Sequence, residues 1–164
     1  MSLIKTAVQS ILETANTTTG SPIDLSDALA ARVKKVLQIN VEKIPIQPSF
    51  FPCLTMFYEA KTINLLDMAG SMLDGRRRAD VNLKIVGLVW IDNMNSASFE
   101  LKDLADNEIE QLMENAEQVL RKDPTLNGNA LWSKSTDVTY HNYAVSEDAH
   151  MRAGIMSFTV SVLY

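Results

Sequence analysis

The sequence is poor in the residues from which disulfides, metal sites and nucleophilic centres are built. Among its 164 residues it has one cysteine, Cys53, and two histidines, His141 and His150. A single cysteine excludes an intramolecular disulfide and a thiolate metal cluster within one chain. Cys53 lies in the apolar stretch 50–54. Apolar neighbours indicate a buried, inert thiol rather than a reactive one.

Glycine is also scarce, and its pattern excludes several kinds of site. The six glycines are scattered, and the Gly-x-Gly-x-x-Gly, Gly-x-x-x-x-Gly-Lys and Gly-x-Ser-x-Gly motifs are absent, which leaves phosphate loops and nucleophile elbows without support. His141 and His150, taken with Glu147 and Asp148, lack the regular spacing of metal ligands, so we interpret them as residues on or beside a loop. The acidic residues within 108–117 are typical of a solvated helix face. We therefore expect no enzymatic activity and no cofactor.

The chain has neither an excess of positive charge nor a long apolar run. Its formal net charge is −5, whereas a general nucleic-acid binder normally carries a basic footprint. No stretch approaches the ~18 consecutive apolar residues of a membrane span. The first residues lack the basic and then apolar pattern of a signal peptide. These absences predict a protein that works in water without a membrane partner.

What the sequence does contain is a series of helix and strand patterns. Apolar residues spaced three and four apart predict amphipathic helices over about 4–15 and 101–120. Residues 24–39 fit either a short helix capped by Asp24 or the start of a strand. The predicted fold is one α+β domain, 1–164, in which an antiparallel or mixed sheet with a three-strand meander packs helices on one face. Alternating or continuous apolar residues predict strands at 36–44, 52–60, 81–91, 130–140 and 151–164.

Residues 61–80 fit neither pattern well. The Asp74-Gly75 pair is a hairpin signal, and we interpret the segment as a protruding β-arm or long loop with three arginines at its tip. Exposed apolar patches on monomers are limited, whereas an apolar arm docked on another subunit could extend that subunit's sheet. Alternatively, the arginines are solvated and have Asp74 and Asp80 as counter-ions. The candidate interface residues are Ile63, Leu65, Leu66, Met68, Met72, Arg76, Arg77 and Arg78.

The order of these elements resembles that of a known family, the tail terminator or tail-completion proteins of tailed bacteriophages. The resemblance covers residues 33–164, and its most specific part is a turn that leads into a strand packed through Trp132, Val138 and Tyr140. The features that carry it are the proline-led strand beginning at 51–54, the strand 81–91, the helix 101–120, the Asp-Pro-Thr-Leu-Asn-Gly turn at 123–128, the Asp-Val-Thr-Tyr strand at 137–140 and the last strand at 153–162.

The resemblance implies a structural virion protein without catalytic residues. Such a protein forms a closed ring of roughly six copies, which sits on the last ring of tail tube protein, stops its polymerisation and offers a docking surface to the head–tail connector. In a contractile tail the sheath protein is a further partner. DNA passes through the ring without specific binding, because an acidic wall would repel it. The resemblance places the protein in the tail or neck of the virion, after assembly in the host cytoplasm.

Two other interpretations stay open. One is a different phage assembly factor with a related fold, such as a head-completion protein or a component of the baseplate that initiates the tube. The other is a small α+β enzyme or ligand-binding domain. The latter would need a closed pocket in which Cys53, His141, His150 or acidic residues converge with perturbed pKa values.

Overall fold

The computed structural model describes residues 2–17, 33–41, 47–65, 77–92, 98–146 and 149–163. In these residues two helices and five strands form an α+β fold with a mixed sheet, as the sequence predicted. A short 3-10 helix, Pro48–Phe50, and a cis Phe51–Pro52 peptide bond precede the second strand. The elements in chain order are α1 (Ser2–Thr17), β1 (Lys35–Leu37), β2 (Cys53–Leu65), β3 (Arg77–Asp92), α2 (Ser98–Lys122), β4 (Trp132–Ser146) and β5 (Ala149–Leu163).

The strand order in the sheet is β1-β2-β3-β5-β4. The pairs β2–β3, β3–β5 and β5–β4 are antiparallel, but β1 is parallel to β2. The predicted three-strand meander is therefore wrong, since a meander needs consecutive antiparallel strands. The first strand is also shorter than the predicted 36–44, while β2 continues past the predicted end at Ala60. The proposed cap Asp24 lies outside the described residues.

Both helices pack on the same face of the sheet, as predicted. Alternate residues of β3 point to this face and meet the matching residues of β5, and α1 and α2 contact each other above them. The buried side chains that form this core include Val8 and Leu12 from α1, Ile109, Leu112 and Met113 from α2, Leu83 and Ile85 from β3, and Met156 and Phe158 from β5. We call this side of the sheet the helix face.

The opposite face of the sheet is divided along its length. Near the end of β3 it is apolar, because Val86 and Leu88 are buried in a second, smaller cluster with Phe51 and Cys53. The ring of Phe51 stacks on that of Trp90, with centroids 6.0 Å apart. The last part of β3 is therefore buried on both faces, in keeping with the continuous apolar residues at this end of the strand.

The first half of β3 is polar on this opposite face. Lys84 Nζ donates a hydrogen bond to Ser157 Oγ at 2.9 Å and lies 3.5 Å from Glu59 Oε2. The Thr159 hydroxyl donates to Asn82 Oδ1 at 3.1 Å. Cross-strand pairs of this kind keep a solvated sheet face ordered.

The turn after α2 is held by one carboxylate. Asp123 accepts hydrogen bonds from the Thr125 amide at 3.2 Å, the Thr125 hydroxyl at 2.7 Å and the Asn127 amide at 2.6 Å. Leu126, Asn127 and Gly128 all have positive φ, which reverses the chain toward β4. The Asp-Pro stop and the Asn-Gly turn were both predicted from the sequence.

Candidate assembly surface

The base of the predicted arm is a pair of antiparallel strands. β2 continues to Leu65 and β3 begins at Arg77, and these two residues are partners in the sheet. Residues 61–65 and 77–80 are therefore strand residues of the sheet itself, and the protruding arm stays a prediction for the residues between them. The predicted interface residues Leu66, Met68, Met72 and Arg76 lie outside the described residues.

The prediction that the arginines lie at the tip of the arm is wrong for Arg77 and Arg78, since both belong to β3. Arg77 is exposed, but Arg78 is used within the chain. Its Nε donates to Ser161 Oγ at 2.8 Å and lies 3.4 Å from Asp80 Oδ1. Its guanidinium carbon is 5.6 Å from the centroid of the Trp132 ring. Arg78 therefore links β3 to β5 and β4, and Asp80 is its counter-ion, as the alternative interpretation held.

Exposed apolar side chains gather at the end of the sheet where β2 ends and β3 begins. Ile63, a predicted interface residue, is 51% exposed, Leu131 is 46% exposed and Leu163 is 45% exposed. Sequence reasoning missed Leu131 and Leu163. The one feature of the sequence that points to them is that Leu131 and Leu163 each adjoin a residue of an alternating strand pattern. Alternation alone does not show where a sheet ends, so it does not show that these two side chains are exposed.

The strand β4 forms one edge of the sheet. In the described part of the chain its only neighbour is β5, so one side of this 15-residue strand directs a row of backbone N–H and C=O groups away from the sheet. The pairing of β4 with β5 shifts register between Ser135 and Val138. A long edge strand without proline is a ready template for another strand.

Tyr140, predicted to pack in the core, is 41% exposed because it lies on this edge strand and has a neighbouring strand on one side only. Burial of its remaining part and the charges of Glu110 and Glu114 raise the pKa of Tyr140. Trp132 and Val138, the other predicted packing residues, are half-buried.

The residues considered for chemistry do not converge. Cys53 is fully buried, and burial raises the pKa of its thiol to about 12, in keeping with an inert thiol. His150 is the second residue of β5, which agrees with the predicted position beside the connection of the last two strands, whereas His141 lies within β4, five residues before that strand ends. Glu147 and Asp148 are outside the described residues. Within the described residues no group of three or more His, Cys, Asp or Glu side chains could hold a metal ion.

A cavity of about 150 Å³ lies between the end of α2 and the start of β4. Its carboxylate, Glu117, accepts a hydrogen bond from Ser135 Oγ at 3.0 Å and lies 3.8 Å from Arg121 Nη1. Pockets that enclose organic ligands are larger, on the order of 300–1,000 Å³. This space fits a few water molecules better than a substrate. The remaining lining residues are Leu120, Pro124, Ser133, Lys134 and Phe158.

These features define the class: an α+β domain in which two helices cover one face of a five-stranded mixed sheet that ends in a long edge strand. No family model matches the chain, and no curated protein matches its sequence. Neither α1 nor α2 is long and apolar enough to cross a membrane.

Proposed function

We propose that this chain is a structural subunit of a phage tail, a tail terminator that closes the end of the tail tube as a ring of identical copies. In this role it stops polymerisation of the tube protein and offers its other side to the head–tail connector. The protein acts through contact surfaces and catalyses no reaction.

The observation that carries the proposal is the outer edge of β4. In the described part of the chain the outer side of β4 has no strand neighbour, half-exposed Leu131 lies just before the strand and Tyr140 lies within it, and such an edge is suited to another polypeptide. Soluble monomers normally shorten, charge or cover such edges. A role in assembly explains why this edge is long.

The order of helices and strands adds support. The proline-led strand, the central strand, the long helix, the Asp-Pro turn and the last two strands occur in the order that suggested a tail terminator, and the four strands belong to one sheet. Leu65 and Arg77 form the last pair of β2 and β3 at one end of that sheet, and half-exposed Ile63 lies two residues before Leu65. A ring subunit would use this end of the sheet to reach a neighbour or the tube.

The first test is the assembly state of the purified chain. We expect light scattering after size exclusion to give one defined oligomer, and negative-stain electron microscopy to show rings with an open centre. A closed ring follows when a heterologous interface repeats with a rotation that closes, whereas a translation would give filaments. A monomer at every accessible concentration would overturn the proposal.

The second test measures function. Tube protein from the same phage genome is polymerised with increasing amounts of this chain, and tube lengths are measured by electron microscopy. We expect shorter tubes with one capped end, and immunogold labelling at the neck of intact particles. Rings that leave tube length unchanged and label the baseplate or the head vertex would instead indicate another phage assembly factor.

A further inference from the structure

The exposed side chains of the β4 edge form two complementary pairs. Leu131, just before the strand, and Tyr140, within it, are large hydrophobic residues that are 46% and 41% exposed. Lys134 and Asp137 lie between them, carry opposite charges and are also exposed. The two pairs have the same midpoint along the chain, so the pattern of the edge is symmetric about one point.

An edge with this symmetry is complementary to itself. When two copies place their β4 edges side by side in the antiparallel sense, a two-fold axis perpendicular to the sheet relates them. With this axis at the common midpoint, Leu131 of each copy faces Tyr140 of the other, and Lys134 faces Asp137. The first contact removes apolar surface from water, and the second joins opposite charges across the strands. Each contact forms twice.

The irregularity in β4 is what allows this register. Two directly opposed residues of a continuous sheet have their side chains on the same face. The members of each pair are an odd number of residues apart, so in a regular strand they would lie on different faces. Ser135 and Val138 are three residues apart, whereas their partners in β5, Phe158 and Met156, are two apart. The extra residue of β4 brings the two members of each pair onto one face.

The apolar pair belongs to the helix face. Tyr140 is the partner of Gly154, and Met113 of α2 lies on that glycine. Leu131 is on the same side as Ser133 by alternation, and Ser133 is the partner of the core residue Val160. The contact between the two copies is therefore on the side that their helices cover.

The charged pair belongs to the opposite face. Lys134 is the partner of Thr159, whose hydroxyl bonds to Asn82 on that face. Asp137 directly precedes Val138, a helix-face residue that packs against the core, so its side chain lies on the other side of the strand. Lys134 and Asp137 of two copies can thus meet across the axis.

Other registers match the faces but lose the contacts. If the axis moves by one residue toward the end of β4, Tyr140 faces Ser133 and Lys134 faces Thr139. The exposed hydrophobic side chains then meet polar neighbours, and the opposite charges are separated. The positions of the exposed residues therefore select one register.

One carboxylate of α2 lies near the axis. Glu117 accepts a hydrogen bond from Ser135 Oγ at 3.0 Å, and Arg121 Nη1 is 3.8 Å from it. Because each carboxylate has this counter-ion within its own copy, the pairing brings two ion pairs toward each other rather than two lone negative charges.

We propose that the free chain binds a second copy of itself through β4, in an antiparallel two-fold pair with Leu131 against Tyr140 and Lys134 against Asp137. The two sheets become one continuous sheet with all helices on one face. The pair covers the long edge that a monomer would leave open. It is isologous and closes after two copies, so it is not the contact that repeats around a ring. The inference goes beyond the proposed ring, and the pair must open before this edge can serve ring assembly.

Exchange of the two charges tests the pairing. Lys134→Asp alone and Asp137→Lys alone each place like charges at both contacts, and we expect each to weaken the dimer about tenfold in sedimentation velocity. The double variant Lys134→Asp/Asp137→Lys should dimerise like the natural chain, because opposite charges face each other again. A mixture of the two single variants should form a mixed dimer for the same reason.

A matched control changes the same charge elsewhere. Asp103 is exposed on α2, and it lies beyond the paired stretch because Asp106, one turn later, contacts Arg152, the partner of Asn142. Asp103→Lys should leave the dimer unchanged. Circular dichroism checks that every variant is folded.

Disulfide formation tests the register. A chain with Leu131→Cys and a chain with Tyr140→Cys should become linked when they are mixed under mild oxidation, and the natural Cys53 does not interfere because it is buried. Ser133→Cys mixed with Tyr140→Cys reports on the shifted register and should stay unlinked.

The outcomes separate this inference from the ring proposal. A natural chain that passes from monomer to ring without a dimer, or a dimer that neither charge variant weakens, would overturn the two-fold pair and leave the proposed function standing. A linked dimer that never gives rings at any concentration would support the pair and count against the proposed function.

Discussion

Met113 of α2 lies directly on Gly154 of β5: a Cβ placed at Gly154 would be 2.4 Å from Met113 Cγ and 3.0 Å from its Sδ. Gly154 pairs with Gly87 of β3, where a Cβ would be 2.6 Å from the same sulfur. Two adjacent glycines thus form a shallow site in the sheet that receives one methionine. This contact sets how closely the helix approaches the two central strands.

The first prediction concerns that contact. Gly154→Ala should destabilise the fold by about 1–3 kcal/mol, because the added methyl group forces Met113 out of place in a packed core. The measurement is the free energy of unfolding in urea. In the Gly154→Ala/Met113→Ala double variant the methyl group has room, so its cost should be smaller than in the single variant. Equal costs in both backgrounds would show that Met113 is not the obstacle.

The second prediction concerns the turn after α2. Asp123→Asn should lower the free energy of unfolding by about 1 kcal/mol, because an amide is a weaker acceptor for the Thr125 and Asn127 donors. The hydrogen bonds from Thr125 and Asn127 lower the pKa of Asp123 below its usual 3.8. The stabilisation of the fold by the ionised Asp123 carboxylate is therefore complete above pH 3.8. It is lost as the pH falls through the lower pKa that Asp123 has in the folded chain.

The pH dependence of stability tests whether the effect of Asp123→Asn comes from the charge of the carboxylate. Unfolding is followed in urea from neutral pH into the acid range for the natural chain and the variant. The difference in stability between the two should shrink as the pH drops below 3.8. A difference that stays constant into strong acid would mean that the charge of Asp123 does not hold the turn.

The third prediction concerns Cys53. Its thiol should not react with a disulfide reagent in the folded chain at pH 8 and should react at once in denaturant, because the side chain is buried and its pKa is raised to about 12. Since the unfolded thiol ionises near pH 9.0, stability should fall as the pH rises from there toward 12. In the Cys53→Ala variant the free energy of unfolding should fall less over this alkaline range, because no thiol ionises in the unfolded chain. Rapid labelling of the native chain would contradict the burial.

The fourth prediction separates the two neighbouring arginines of β3. Arg78→Ala should cost about 1–2 kcal/mol, because it removes a donor from the buried Ser161 hydroxyl and a cation from the Trp132 ring. Arg77→Ala, at an exposed position, should stay within about 0.5 kcal/mol. Thermal or urea unfolding measures both. Equal effects would mean that the Arg78 contacts contribute little to stability.

Sequence patterns predicted best the elements whose periodicity is fixed by burial. α2, β3 and β5 each present a continuous apolar stripe to one core, and both the spacing and the inward faces followed from the sequence. The alternation of Leu54, Met56 and Tyr58 in β2 likewise puts these residues on one side of their strand, the side that the helices cover. In these elements the spacing of apolar residues along the chain matches the side of the element that is buried in the fold.

Strand order could not be predicted in the same way. The parallel pairing of β1 with β2 depends on where the chain between them passes, and the position of β5 between β3 and β4 depends on contacts distant in sequence. The exposure of Tyr140 follows from that order, because an aromatic residue in an alternating pattern is buried only if neighbouring strands cover it. The candidate assembly surface became visible only once β4 was known to be an edge.

The placement of β5 has a consequence for how the chain is made. It is the last described element to leave the ribosome, yet it is bonded to β3 on one side and to β4 on the other. Until residues 149–163 emerge, these two strands have no shared neighbour, and the β2–β3 hairpin must wait with one flank unprotected. Folding to the finished domain is therefore expected only after this strand has been translated.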